Sequence, residues 1–280
     1  MKRPAFLLLI VALLSSCSFG AHITADEALN RVYASAAYDA EHTDIDHVTD
    51  ARKRHQADLE REIYRLCGTL QDGSKPPKCN LAPIDAAPDK DRDSAQVLRD
   101  AMDAIESEIN NAPKESLIVL ARQYAELATL ALKAPELPKD PSLGTPHDVD
   151  RLRAGIEHEY ANAYGLEVAS ARDNAGTEAR LDELVEAHRK YAQDLSKIIT
   201  DGAPAPAPGY TIDDPVTDPT AFAANLERDS VAFWLAETTA AETDDWRIIC
   251  LRSAAAAALR ATLLDPNTDY LRNPDTSTEN

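Results

Sequence analysis

The chain has 280 residues, of which 48 are acidic and 29 are lysine or arginine, so its formal net charge at pH 7 is −19. This charge argues against binding nucleic acid or an anionic membrane through a basic patch. Frequent alanine, only nine glycines and a 5% aromatic content predict an all-α fold.

The N-terminus has the pattern of a bacterial lipoprotein signal. A positive pair, Lys2 and Arg3, precedes an apolar run at 6–14, which is too short to span a bilayer about 30 Å thick as a helix. The run ends in the letters LSSC, which resemble a lipobox, the motif whose cysteine is acylated. We therefore predict a signal peptide over 1–16 and a lipid on Cys17 that holds the protein on the extracytoplasmic face of the cell membrane. The alternative is an ordinary cleavage site beside an incidental cysteine.

The other three cysteines predict one disulfide bond. Cys67 and Cys79 flank the turn-rich stretch GTLQDGSKPPK, and an exported protein can keep such a bridge. Closing a loop of this size stabilises a fold by about 3 kcal/mol in the chain-entropy model. A metal site is the less favoured alternative, because the pair has neither a second close pair nor a flanking histidine. Cys250 lies in an apolar helical pattern and is predicted to be a small buried side chain.

The N-terminal helical region is predicted to cover 17–134. Apolar residues at spacings of three and four indicate about four helices there. The second helical run places His55 on its apolar stripe, so we expect a core or interface histidine rather than a metal ligand. His42 and His47 are expected to lie in solvent.

A linker is predicted at 135–147, where four prolines occur. Beyond it, a four-helix bundle is predicted over 148–266 and a disordered tail over 267–280. The helical runs lie at about 148–173, 176–200, 219–241 and 244–264. The connection between the second and third runs alternates Ala and Pro, which favours extended polyproline II at about 3.1 Å per residue. That length permits a crossover along the whole bundle, whereas a simple up-down bundle would need only a short loop.

Four blocks of the second half resemble an uncharacterised ferritin-like domain family of actinobacteria. The blocks are EHEYANAYG at 157–165, LVEAHRKYAQDL at 184–195, APAPGYTIDDPVTDPTAFAANLE at 205–227 and LRSAAAAALRA at 251–261. The resemblance implies a ferritin-like four-helix bundle with a long crossover. The family includes lipoproteins, which agrees with a lipid on Cys17. The family has no settled activity, so the resemblance implies fold and location rather than chemistry.

The metal-binding pattern of ferritin-like proteins is incomplete in this sequence. Their di-iron sites use Glu-x-x-His on two helices and Glu on the other two. No Glu-x-x-His occurs on the second to fourth predicted helices of the bundle, because Val185 stands three residues before His188. We therefore predict no cofactor and no di-iron enzyme. The alternative is a single metal ion held by His188 with Glu157 or Glu227.

The apolar stripes of these helices are instead predicted to enclose a buried polar cluster. Its expected members are Glu157, Tyr160, His188, Glu227, Ser230 and Arg252. Arg252 would replace the metal as the positive charge facing Glu157 or Glu227, because an unpaired buried charge costs several kcal/mol. Within EHEYANAYG, Glu157 is expected to border the core, while His158 and Glu159 are expected to point away from it.

The position of Arg252 depends on the topology. With the crossover, counting residues from the helix ends brings Arg252 to the level of His188. Without the crossover, Arg252 would lie near Glu167 and Glu237 instead.

Three functions compete at this stage. The favoured one is a non-catalytic, lipid-anchored cell-envelope protein that acts as a scaffold or through an unknown protein partner. The second is a metal-binding or redox protein of ferritin descent with a reduced site. The third is a module that binds a small apolar ligand in the bundle core, which the close packing of alanine-rich helices disfavours.

Overall fold

The structure is a computed structural model that describes residues 23–43, 45–70, 72–83, 92–173, 176–212 and 216–272. These residues form eight α-helices and no strand, which confirms the all-α prediction for this part of the chain. The helices are α1 (Glu27–His42), α2 (Asp46–Cys67), α3 (Ser94–Glu108), α4 (Leu117–Ala131), α5 (Pro146–Ser170), α6 (Glu178–Ser196), α7 (Pro219–Ala240) and α8 (Asp244–Leu264). The predicted signal peptide and Cys17 lie outside the described residues.

Local sequence explains where several of the helices begin. The side chains of Asp26, Asp93, Thr145, Asp218 and Thr243 each accept a hydrogen bond from a backbone N–H in the first turn of the helix that follows. These contacts satisfy donors that have no partner within the helix itself. Helices α5 and α7 also begin with proline, whose fixed φ suits the first helical position.

The two halves of the chain share one hydrophobic core. Helix α4 packs against α7 and α8, while α1 packs against α2 and α3. Leu127 of α4 and Trp234 of α7 belong to the same buried cluster, and both side chains are fully buried. A smaller cluster around Leu166 and Leu184 fills the far end of α5 and α6.

Contacts between side chains give the directions of α5, α6 and α7. Ser170 at the end of α5 bonds Asp182 near the start of α6, so these helices are antiparallel. Arg151 at the start of α5 forms an ion pair with Glu237 at the end of α7, so this pair is also antiparallel. Helices α6 and α7 therefore run in the same direction. The connection over 197–218 must join opposite ends of the bundle.

The Cys67–Cys79 disulfide is present, with an S–S distance of 2.06 Å, which confirms that prediction. Cys250 is free and buried, as expected. Among the described helices, none is both long enough and apolar enough to cross a membrane.

The first residues of the tail predicted at 267–280 contact the core. Residues Asp269–Leu271 form a 3-10 turn, and the side chain of Leu271 is buried in the main core. The hydroxyl group of Tyr270 donates a hydrogen bond to the carbonyl oxygen of Ala258, 3.4 Å away. These contacts hold the turn against α8. Residues 273–280 lie outside the described part of the chain.

Candidate functional site

Each of the four helices α5 to α8 contributes one ionisable side chain to a buried cluster at the middle of the bundle. These side chains are Glu159, His188, Glu227 and Arg260, in helix order. The first three are fully buried and Arg260 is 8% exposed. We call this set the central cluster.

His188 lies between the two carboxylates of the central cluster. Its Nδ1 is 2.6 Å from Oε2 of Glu159, and its Nε2 is 2.8 Å from Oε1 of Glu227. Burial and the nearby charge of Arg260 lower the pKa of His188, but the two carboxylates outweigh them and raise it. Both ring nitrogens can donate to a carboxylate only in the protonated imidazolium, so geometry and charge agree.

Every carboxylate oxygen of the cluster has a donor. Trp234 donates from Nε1 to Oε1 of Glu159 over 2.8 Å. Arg260 donates from Nε to Oε2 of Glu227 over 3.1 Å, and its Nη2 lies 3.5 Å from Oε2 of Glu159. Burial raises the pKa of Glu159, but the charges of Arg260 and His188 lower it to about 2. The pKa of Glu227 is also lowered, against the effect of burial, by His188 and Arg260.

Two anions and two cations therefore balance inside the bundle. Buried charges are tolerated when they are paired and hydrogen-bonded, which is the case for all four groups. Removal of a single member would leave an uncompensated charge in the core.

The central cluster does not fit a ferritin-like di-iron centre. Such a centre needs carboxylate and imidazole lone pairs that converge on the metal ions. The two nitrogens of His188 face different carboxylates, and the imidazolium has no free lone pair. The guanidinium group of Arg260 contacts both carboxylates and supplies the positive charge that a metal would bring.

Two members of the predicted cluster are wrong. Glu157 is exposed, and the inward carboxylate of α5 belongs to Glu159. The face of α5 that packs against the other helices is centred on Leu152, Gly155 and Glu159. This face does not coincide with the apolar stripe predicted from the sequence. A Cβ atom on Gly155 would lie 2.5 Å from the Trp234 ring, so glycine permits the close approach that defines this face.

Arg252 is also outside the central cluster. It donates to both carboxylate oxygens of Glu106 on α3, at 2.9 and 2.7 Å, and to the carbonyl oxygen of Glu136 at 2.7 Å. Helix α8 is covered on this side by the N-terminal half, which offers Arg252 a partner that the bundle alone could not supply. The inward arginine is Arg260, two helical turns later.

The remaining predicted members differ in their surroundings. His188 and Glu227 lie together in the central cluster. Tyr160 is half-buried and packs against the main core. Ser230 is fully buried, and its hydroxyl group has no hydrogen-bond partner among the described residues.

The two missed residues lie on buried faces of their helices, which spacing alone does not identify. Leu152, Gly155, Glu159, Asn162 and Leu166 follow each other at intervals of three and four, and all are buried. Ile249, Ser253, Ala256 and Arg260 do the same on α8. Glu157 and Arg252 also have neighbours at intervals of three and four, so the period could not choose between them and Glu159 or Arg260.

His55 is a buried histidine, as predicted, and belongs to a second ionic network in the N-terminal half. Its Nε2 is 3.0 Å from Oε2 of Glu126, and its Nδ1 is 3.2 Å from Nη1 of Arg52. Because Arg52 can only donate, Nδ1 must accept, and the ring is neutral. Burial is the main cause of the lowered pKa of His55. Of the two histidines expected in solvent, His47 is exposed, while His42 is half-buried against Tyr38.

Among the described residues, one group of side chains near the start of α5 has the spacing of metal ligands. It consists of His147, Asp148 and Glu242. The carboxylate of Asp148 already accepts hydrogen bonds from the backbone N–H groups of Glu242 and Thr243 and from the Thr243 hydroxyl group. Its role in connecting α5 to the α7–α8 turn is therefore structural.

Residues 152–271 match the model of a domain family described as Domain of unknown function (DUF4439). The match covers all four residues of the central cluster and the final 3-10 turn. No curated protein and no solved structure in the comparisons matches the chain.

Proposed function

We propose that the protein is a lipid-anchored, non-catalytic component of the cell envelope that acts as a scaffold or through contacts with a protein partner. In this proposal its C-terminal half is a ferritin-like bundle that has exchanged a metal for an arginine. The closed, charge-balanced central cluster is the observation that supports a non-catalytic bundle without a metal, while the sequence pattern at Cys17 supports the lipid anchor. The central cluster has no open position for a substrate, because Arg260, His188 and Trp234 occupy all the carboxylate oxygens.

The bundle geometry supports ferritin descent. Helices α6 and α7 are parallel, and a connection over 197–218 joins opposite ends of the bundle. Inward ionisable residues on all four helices are also a feature of ferritin-like metal sites, which use Glu on two helices and Glu-x-x-His on the other two.

Measuring the metal content of the purified protein tests the proposal that Arg260 takes the place of a metal ion. Protein purified without chelator is expected to contain only substoichiometric Fe, Mn and Zn. A stoichiometric ion that disappears in His188→Gln would overturn the proposal. His147→Ala is the matched control, since an ion lost in that variant alone belongs to the surface group at Asp148.

Anchoring is tested separately by detergent phase partition of the protein expressed with its N-terminus intact. The wild-type protein is expected in the detergent phase, and Cys17→Ser is expected in the aqueous phase, because acyl chains supply the membrane affinity. Recovery of both proteins in the aqueous phase would contradict lipid attachment.

A further inference from the structure

A cavity of ≈840 Å³ lies outside the bundle core, between α6, α8 and the proline-rich segment 134–141. We call this segment the strap. Small-molecule sites commonly have volumes of about 300–1,000 Å³. The cavity therefore has the size of a ligand site. It does not lie in the bundle core, where the sequence analysis considered a site for a small apolar ligand.

The strap is held in place by Arg252. Nη1 of Arg252 donates to the carbonyl oxygen of Glu136, while its other donors bind Glu106 on α3. Beyond the strap, the backbone N–H of Ser142 donates to Asp245 over 2.7 Å. The outer wall of the cavity is thus fastened at two points to elements that belong to the main core.

The cavity is lined by both apolar and charged side chains. Leu137 of the strap, Ile198, Leu259 and Leu263 supply apolar surface, and Leu263 is 54% exposed. The charged residues of the lining are three acids and three bases, namely Glu136, Asp140, Asp194, Lys190, Lys197 and Arg260. Both lysines pair with Asp194 at 2.6 Å, and their side chains are 77% and 75% exposed, so they lie at the solvent side of the cavity.

Arg260 brings unused N–H donors to the cavity. Arg260 uses Nε and Nη2 for the carboxylates of the central cluster. No hydrogen bond joins its Nη1 to another described residue, and Nη1 is not one of the buried side-chain atoms that lack a partner, so it is accessible. Since Arg260 lines the cavity, Nη1 is a donor that a bound ligand could use.

We propose that this cavity binds an uncharged acyl ester, with the alkyl chain along the leucine walls and an ester or hydroxyl oxygen accepting from Nη1 of Arg260. The charge of Arg260 is already balanced by the two glutamates and His188. A carboxylate at the same place would add a buried charge without a counterion, which costs several kcal/mol. A neutral acceptor satisfies the donor without that cost.

The inference does not depend on the proposed function, because the cavity is formed whether or not Cys17 carries a lipid. The test uses the full chain with Cys17→Ser, so that no acyl group of its own competes. Glycerol monolaurate and laurate are each titrated against protein that carries the apolar fluorescent dye N-phenyl-1-naphthylamine. Glycerol monolaurate is expected to displace the dye at concentrations at least about tenfold lower than laurate, equivalent to about 1.4 kcal/mol.

Ala187→Trp fills the cavity from α6 and is expected to weaken dye and glycerol monolaurate binding at least about tenfold. The matched control is Ala179→Trp, which places the same side chain on an exposed position of α6 and is expected to bind like the parent. If Ala187→Trp does not fold, Leu137→Ser removes an apolar wall without filling the space and is expected to weaken binding in the same direction. Absence of dye displacement, tighter binding of laurate than of the ester, or equal binding by the cavity variant and Ala179→Trp would each overturn the proposal.

Discussion

Two buried histidines show how the surroundings of a side chain decide its charge. His188 lies between two carboxylates and is an imidazolium, while His55 accepts from Arg52 and is neutral. Their pKa values are shifted in opposite directions, upward for His188 and downward for His55. The sequence predicted that both residues lie on apolar stripes. Their charge depends on which partners the fold places beside each ring nitrogen.

This contrast predicts opposite effects on the pH dependence of stability. The contribution of His188 is present below its unfolded pKa, about 6.5, and is lost as pH rises through its higher folded pKa. The contribution of His55 is present above about 6.5 and is lost as pH falls toward its lower folded pKa. Relative to wild type, His188→Gln should therefore gain stability from pH 6 to pH 8, and His55→Gln should lose it.

Urea unfolding at several pH values measures this difference. His188→Gln should also be less stable than wild type by about 3–5 kcal/mol at pH 6, because two buried carboxylates lose a partner. His47→Gln, at an exposed position, should leave the curve unchanged. Equal pH profiles for the two buried-histidine variants would show that the assigned protonation states are wrong.

At the scale of elements, the bundle depends on contacts between one helix and the end of another. The side chain of Asp148 on α5 is fully buried and accepts three hydrogen bonds from the turn that joins α7 to α8. Hydrogen bonding outweighs burial and lowers the pKa of this carboxyl group. The turn is thereby fixed to a helix that is distant in sequence, and a helix pattern alone gives no sign of this contact.

Asp148→Ala should lower the free energy of unfolding by about 2–3 kcal/mol, because hydrogen bonds to a charged acceptor are lost and backbone donors are left without a partner. Asp150→Ala is the matched control on the exposed side of α5 and should change stability by less than about 0.5 kcal/mol. Chemical unfolding followed by circular dichroism measures both. Equal stability of the two variants would contradict the role of Asp148.

At the scale of the whole molecule, the two halves share one hydrophobic core, so we expect them to unfold together. The linker predicted at 135–147 does not separate two cores, since α4 packs directly on α7 and α8 and shares their buried cluster. Both tryptophans, Trp234 and Trp246, lie in the C-terminal half and are fully buried. Their fluorescence therefore reports on whether unfolding of the N-terminal half reaches the bundle.

Leu127→Ala in α4 should destabilise the protein by about 2–5 kcal/mol through loss of buried surface and creation of a cavity. The shift should be the same for tryptophan fluorescence and for circular dichroism, because the two halves share one buried cluster. Leu132→Ala is the control, since Leu132 is 75% exposed. A tryptophan transition that does not move in Leu127→Ala would show that the halves unfold independently.

The sequence by itself determined the helices of the described residues and the disulfide bond. Alanine content and spacings of three and four specify helices through local propensity and side-chain periodicity. The Cys67–Cys79 bridge followed from a short turn-rich loop, whose closure depends on nearby residues. These features need little knowledge of distant parts of the chain.

Only the tertiary structure decided which charged residues lie inside. The choice of Glu159 over Glu157 depends on the Trp234 ring packing against Gly155, and the choice of Arg260 over Arg252 depends on Glu106 in the other half of the chain. A buried charge is stable only beside its partner, and the partners here are separated by many residues in sequence. For that reason the spacing of apolar residues predicted the helices. The pairing of charges and the cavity beside Arg260 depend on how the helices pack together.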